Sequence, residues 1–248
     1  MRKLQIQHSS FTLQKELGKG SFGVVYAGTD DNSDEPVAIK DIKCRSEKEL
    51  DQAKFEFDVM KKLQDKLATT SPRRAQSVNE LHCPKFFATQ SIKLGPSQWK
   101  VLGAMERVTG EPLDGWEAKK KGKLAFDDSC KLAGIMLEQL IPTFDRVSEI
   151  AFHRDVNARN ILINVDNDDV SSAVFTLIDF GLAVDQREWT TGKWKVHDIG
   201  GDCRYWPASA WMQFIHGYKH LESMQSHTGN FKDHYIKMLD ATFLITPN

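Results

Sequence analysis

The chain has 248 residues, 40% hydrophobic and 27% charged, an ordinary globular composition that excludes disorder as the default and leaves room for one large domain or a two-lobed one. Its 33 Lys and Arg are matched by 34 Asp and Glu, so no long-range positive field gathers nucleic acid or an acidic membrane, and any anion recognised here must be recognised locally. Cys44, Cys83, Cys130 and Cys203 are far apart, form no CxxC pair and have no His at metal-ligand spacing, so neither a zinc site nor a disulfide framework is suggested and a reducing cytosol or nucleus fits best.

The first residues, MRKLQIQHSS, are basic but lack the apolar core of a signal peptide, and no run approaches the roughly 18 apolar residues of a membrane span. Residues 1–10 are expected to be an extension ahead of the domain. From residue 11 to 43, short β-rich runs (FTLQKEL, VVYAG, VAIKDI) alternate with turn residues (GKGSFG, DDNSDEP), which predicts antiparallel hairpins. Beyond Glu47 the apolar positions Leu50, Ala53, Phe57, Met60 and Leu63 recur at helical spacing among charges, predicting an amphipathic helix with one face on the sheet. KFFATQSI and KVLGAMERV read as two further strands around the turn LGPSQ, completing an expected five-stranded sheet with one helix.

TGEPLDGW reads as a linker turning into a short helix, and LAFDDSCKLAGIMLEQLIPTF as a long helix with Asp127 or Asp128 as N-cap. Pro142 near its end predicts a kink or restart. After Phe152 come the strands ILINV and VFTLID, then a long polar segment rich in Trp and Gly. Helical spacing returns in DHYIKMLDATFL through Ile236, Leu239 and Phe243.

Gly18-x-Gly20-x-x-Gly23 alone is a weak signal, shared with dinucleotide-binding turns and ordinary hairpins. Here a strand follows the glycines rather than a helix, so they tip a hairpin able to fold over phosphates with no β-carbon in the way. Val37-Ala38-Ile39-Lys40 puts one lysine at the end of an apolar strand, where it either snorkels to solvent or meets carboxylate and phosphate. Glu56, at the border of the helix's sheet-facing stripe, is its candidate partner.

HRDVNARN, residues 153–160, supplies a carboxylate to take a hydroxyl proton and an amide oxygen to bind a metal. Asp179-Phe180-Gly181 follows the strand VFTLI, and an acid at a strand end before a permissive glycine suits a Mg²⁺ ligand.

In order and spacing these motifs resemble the eukaryotic protein kinase family over roughly residues 11–245. The resemblance implies an α+β, bilobal fold with ATP and Mg²⁺ in the cleft and a protein as substrate. The first lobe would span 11–108, the hinge 106–111 and a mainly helical second lobe 112–248, incomplete and lacking its last helices. It further implies that Gly18, Gly20 and Gly23 cover the phosphates, and that Lys40, braced by Glu56, holds two of them. Asp155 would be the base, with Asn160 and Asp179 the metal ligands. Val25 and Ala38 would lie above adenine and Leu162 below it, with Met105 as gatekeeper and Glu106, Arg107 and Val108 as hinge. Arg154 would hold a phosphorylated loop residue, for which Thr190 and Thr191 are candidates.

The chain departs from the family at several places. Serine/threonine kinases usually carry Lys two residues after the base, where Asn157 stands. Arg159 has the tyrosine-kinase-like placement, so the acceptor class stays open and the serine/threonine class leads only as the commoner one. GGDCRYWPAS replaces the usual Ala-Pro-Glu, with Pro207 early and Ser209 in place of the acid. Asp233 is the candidate anchor of the catalytic loop. The uncovered apolar face of the last helix predicts a fragment, a partner covering it, or low stability. The rival readings are a pseudokinase scaffold, which binds Mg-ATP without turnover, and a small-molecule kinase.

Overall fold

The computed structural model describes residues 2–20, 23–69, 81–191, 200–206 and 211. These fall into two compact units. One holds everything up to Thr191 together with Gly200–Tyr205 and is the subject below; the other holds Trp206 and Trp211, whose rings meet tilted by 59° at 5.0 Å between centroids. The expected helix around Ile236, the anchor Asp233, and Trp194, Pro207 and Ser209 lie outside the described residues.

The amino-terminal part is an antiparallel sheet of β1 (Arg2–Ile6), β2 (Ser9–Gly20), β3 (Gly23–Asp30), β4 (Pro36–Cys44), β5 (Phe86–Gly95) and β6 (Gln98–Glu106), in spatial order β1-β2-β3-β4-β6-β5. It thus has six strands rather than the five expected. The sixth is β1, inside the segment expected to be an extension. Leu4 and Ile6 alternate with polar neighbours, and this two-residue period lets β1 pair with β2 and send Ile6, fully buried, into the sheet's outer core. The Gln7 N–H donates to the Gln90 side chain on β5 at 3.2 Å, so β1 also reaches the sheet's far edge.

Parity along the strands sorts the two faces of this sheet. Val37, Ile39, Leu102 and Ala104 join Ile6 and Phe11 on the outer face. Ile42, Cys44 and Val101 face the helix α1 (Glu47–Thr69), whose predicted stripe Leu50, Ala53, Phe57, Met60 and Leu63 is buried throughout.

The second part is built on α2 (Leu113–Lys120), α3 (Phe126–Ser148) and a small sheet of β7 (Glu111–Pro112), β9 (Ile161–Asn164) and β10 (Val174–Leu177). A further pair joins β8 (Ala151–Phe152) to β11 (Val184–Asp185), and a short helix α4 (Gln186–Thr190) follows. The N-cap of α3 is Ala125; Asp127 and Asp128 sit in its first turn instead, where carboxylates favour the helix dipole. The helix runs through Pro142 to Ser148 without the expected restart, because Leu140, Thr143 and Val147 on both sides of the proline are buried against one core. That core is continuous with the α1 face of the large sheet, and the Leu177 N–H on β10 donates to the His82 carbonyl ahead of β5 at 2.8 Å. No helix among the described residues is long and apolar enough to cross a membrane.

Candidate active site

Antiparallel register lines up the first-lobe residues. Gly18 faces Val25, Val25 faces Lys40 and Lys40 faces Gly103 across four strands, while Ala38 faces Met105 one pleat along. Directly opposed residues share a face, so Val25, Ala38, Lys40 and Met105 all project to the α1 side of the sheet. Gly20 pairs with Gly23 at the hairpin end, and a β-carbon on Gly18 or Gly20 would meet nothing within 4 Å. Gly23 is different: a β-carbon there would sit 2.4 Å from the Asp41 carbonyl oxygen.

The strand β6 ends at Glu106, whose side chain accepts the Lys85 N–H at 3.1 Å. The Arg107 N–H donates to the Pro36 carbonyl at 3.3 Å. Val108 follows, half-buried, and Gly110 takes φ +115° where a side chain would strike the Ile163 carbonyl at 2.5 Å. Below this crossing Ile161 and Ile163 of β9 are buried in the core, so the half-buried Leu162 between them points to the opposite side.

The lysine is neither on the surface nor alone. Lys40 Nζ lies 2.5 Å from Glu56 Oε1 on α1 and 2.8 Å from Asp179 Oδ1 in the second lobe, with the Lys40 side chain 7% exposed. Burial works against the ammonium, but the Glu56 and Asp179 carboxylates outweigh it and its pKa is raised. Burial also acts on Asp179, yet Lys40 and the Gly181 N–H overcome it and hold its pKa below the ordinary value. Gly181 N–H reaches Asp179 Oδ1 at 3.1 Å, and the Gln52 amide on α1 donates to the carbonyls of Gly181 at 3.1 Å and Ala183 at 2.8 Å. The helix therefore grips the 179–183 loop from two points.

Asp155 heads the loop that follows β8. Its Oδ1 accepts from Asn157 Nδ2 at 3.0 Å and from the Asp202 N–H at 3.0 Å; its Oδ2 accepts from Asn160 Nδ2 at 2.7 Å. Arg154 and Asp179 both have φ +63°, a left-handed strain that a surrounding network must hold in place. For Arg154 that network is its Nε bond to the Leu182 carbonyl at 2.8 Å and the Trp189 ring 5.3 Å from its guanidinium. His153 is buried against the Phe180 ring, 5.0 Å between centroids, with Nε2 at 3.1 Å from the Ile178 carbonyl and Nδ1 accepting the Asp155 N–H at 3.3 Å. Gly201, at φ +94°, packs where a β-carbon would be 2.1 Å from the Arg154 carbonyl.

Of the residues named from the sequence, Lys40, Glu56 and Asp179 meet directly, and Asp155 and Asn160 meet each other. Arg159 points elsewhere: it is exposed and its Nε bonds Asp114 Oδ2 on α2 at 3.2 Å. The Thr191 hydroxyl donates to the Arg187 carbonyl at 2.8 Å, closing the end of α4, while the Thr190 side chain lies outside the described residues. Sequence reading gives no role to Gln52, Gly103, Gly201 or Asp202, and treats Asn157 only as a departure.

Asn160 and Asp179 are the two residues that could offer oxygens to a cation. Asn160 Nδ2 is turned to Asp155, which leaves its amide oxygen for a cation; this suits Mg²⁺, which takes one or two protein ligands and completes its shell with phosphates and water.

The protein kinase domain model matches residues 11–208, a span that contains the sheet from Phe11 onward, Lys40, Glu56, Asp155, Asn160 and Asp179. The chain belongs to the protein kinase family. It is 24% identical over 185 residues to a Dictyostelium discoideum protein described as a probable serine/threonine-protein kinase, covering 74% of this chain and 15% of that one. It is 28% identical over 187 residues to CBL-interacting serine/threonine-protein kinase 16 of Arabidopsis thaliana, covering 73% and 33%. To cyclin-dependent kinase 11.1 of Caenorhabditis elegans it is 26% identical over 168 residues, covering 67% and 20%. In this family a strand lysine paired to a helix glutamate marks the first lobe, and here that pair is closed.

Proposed function

We propose that this protein kinase transfers the γ-phosphoryl group of Mg-ATP to a hydroxyl of a protein, serine or threonine ahead of tyrosine. The observation that carries the reading is the double engagement of Lys40, which bonds Glu56 and Asp179 at once and so ties β4 and α1 to the loop after β10. Gly18, Gly20 and Gly23 approach the phosphates by backbone; Val25, Ala38, Met105 and Leu162 enclose the adenine, whose edge meets the backbone of Glu106 and Val108.

The acceptor oxygen bonds the γ-phosphorus as its bond to the ADP oxygen breaks, and the hydroxyl proton passes to Asp155. Asn160 and Asp179 would hold Mg²⁺, which would supply neutralisation of phosphate charge. The protein's share is alignment and charge, as a loose phosphoryl transition state requires. Serine or threonine is favoured because two of the relatives are described as serine/threonine-protein kinases. The four free cysteines support the expectation of cytosol or nucleus.

The test is incubation with γ-labelled ATP, Mg²⁺, casein and a glutamate–tyrosine copolymer, followed by phosphoamino-acid analysis. Label on casein serine or threonine, lost in Lys40→Met, is expected. Binding of Mg-ATP without any transfer overturns the reading in favour of a scaffold.

A further inference from the structure

Asn157 is 6% exposed, and both ends of its amide are engaged. Nδ2 donates to the Asp155 carbonyl at 3.0 Å and to Asp155 Oδ1 at 3.0 Å, while Oδ1 accepts the Arg159 N–H at 2.9 Å. A backbone N–H can only donate, so the Arg159 bond fixes which end of the amide is oxygen and turns the NH₂ toward Asp155.

Asn160 mirrors this from the other side, donating to the Asp155 carbonyl at 2.9 Å and to Oδ2 at 2.7 Å. The Asp155 carboxylate is thus gripped at both oxygens by two amides of its own loop. Each carboxylate oxygen has two lone pairs. Among the described residues, Oδ1 has both taken, by Asn157 and the Asp202 N–H, and Oδ2 has one taken, by Asn160.

We propose that Asn157 is a positioning residue for phosphoryl transfer: with the Asp202 N–H it saturates Oδ1 of Asp155, so that the open lone pair of Oδ2 faces the acceptor hydroxyl. This rests on the kinase reading above. Asn157 takes the place where serine/threonine kinases usually carry lysine and supplies a donor without a charge. The alignment of Asp155 is retained without a cation at this position. A neutral amide also holds one fixed geometry, since its second end is locked to Arg159.

The experiment is steady-state kinetics on the full chain with casein and Mg-ATP, together with the thermal shift produced by Mg-ADP. Asn157→Ala is expected to lower kcat about 10- to 100-fold, as loss of alignment does, with KM for ATP and the Mg-ADP shift within twofold of the wild type. Asn157→Asp keeps an acceptor for the Arg159 N–H but removes the donor to Asp155, and is expected to lose as much. Asn157→Lys restores a donor and is expected to recover most of kcat.

An Asn157→Asp chain with wild-type kcat overturns the proposal, as does an Asn157→Ala chain that loses kcat only in step with nucleotide binding. Should Asn157→Ala fail to fold, the contrast between the Asp and Lys variants decides in its place. A wild-type chain without any transfer overturns the kinase activity itself, a distinct result.

Discussion

The backbone of Gly103 on β6 passes so close beneath the ring of Phe57 on α1 that a β-carbon at residue 103 would lie 2.0 Å from two ring carbons. Phe57 is fully buried, and its neighbour in sequence is Glu56, the partner of Lys40. The depth at which α1 seats on the sheet is therefore set by the absence of a side chain at 103, and that depth fixes the reach of the ion pair.

Gly103→Ala is expected to push α1 outward, costing about 1–3 kcal/mol as overpacking does, and to weaken phosphoryl transfer through the Lys40–Glu56 pair. Phe57→Leu in the same chain should return part of the stability, since the two residues are in contact and their effects are not additive. Urea unfolding of the two single variants and the double measures this. An unchanged midpoint for Gly103→Ala would mean that α1 is not seated by this contact.

The Lys40–Glu56 pair is buried on both sides, with side chains 7% and 2% exposed. Removing one member of such a pair leaves an uncompensated buried group, typically at a cost of about 3–5 kcal/mol. Lys40→Met is thus expected to abolish transfer and also to destabilise. The double variant Lys40→Met with Glu56→Gln should recover much of the stability and none of the activity. If Lys40→Met unfolds at the wild-type midpoint, the pair contributes to catalysis alone.

How far the sequence alone leads depends on the length over which each signal is spread. The α1 stripe repeats over several turns, and Lys40, Glu56, Asp155 and Asn160 stand out by chemical type and order, so the helix and the meetings of Lys40 with Glu56 and of Asp155 with Asn160 are legible in the sequence. Strand β1 is five residues with only Leu4 and Ile6 as apolar contacts, too short a period to separate from a tail. Helix α3 does not restart at Pro142 because propensity is local, whereas Leu140, Thr143 and Val147 are held by tertiary packing. Asn157 was visible only as a missing lysine; the bonds that define it involve its own loop's backbone, which residue identities do not reveal. Gly201 and Asp202 meet Arg154 and Asp155 across a long sequence gap, and nothing local marks that contact.

The cysteines offer a check on the core that is independent of activity. Cys130 on α3 is exposed, while Cys44 and Cys83 are buried. Burial, followed by the charge of Glu106, pushes the Cys83 thiol up to about 12, so almost no thiolate is available to react. Native alkylation with iodoacetamide, read by peptide mass spectrometry, should label Cys130 first and reach Cys44 and Cys83 only in denaturant. Rapid labelling of Cys83 in the folded chain would place it outside the core.

His153 gives the site a pH dependence whose sign can be worked out. Burial lowers its pKa, and the Ile178 carbonyl with the nearby Asp179 and Asp155 charges only partly offsets this. The bonds fix the neutral form: Nε2 donates to the Ile178 carbonyl, which can only accept, so Nδ1 is the acceptor for the Asp155 N–H. An unfolded imidazole titrates near about 6.5, so below that pH the unfolded chain binds a proton that the folded one refuses. Stability present above that value is therefore lost as pH falls through it. A proton forced onto Nδ1 would also cancel the bond to the Asp155 backbone, so transfer should decline in the same window. Urea unfolding at about pH 7.5 and 5.5 is expected to show a larger loss for the wild type than for His153→Gln, which keeps a donor and cannot titrate. Equal losses in the two chains would assign the acid sensitivity to other groups.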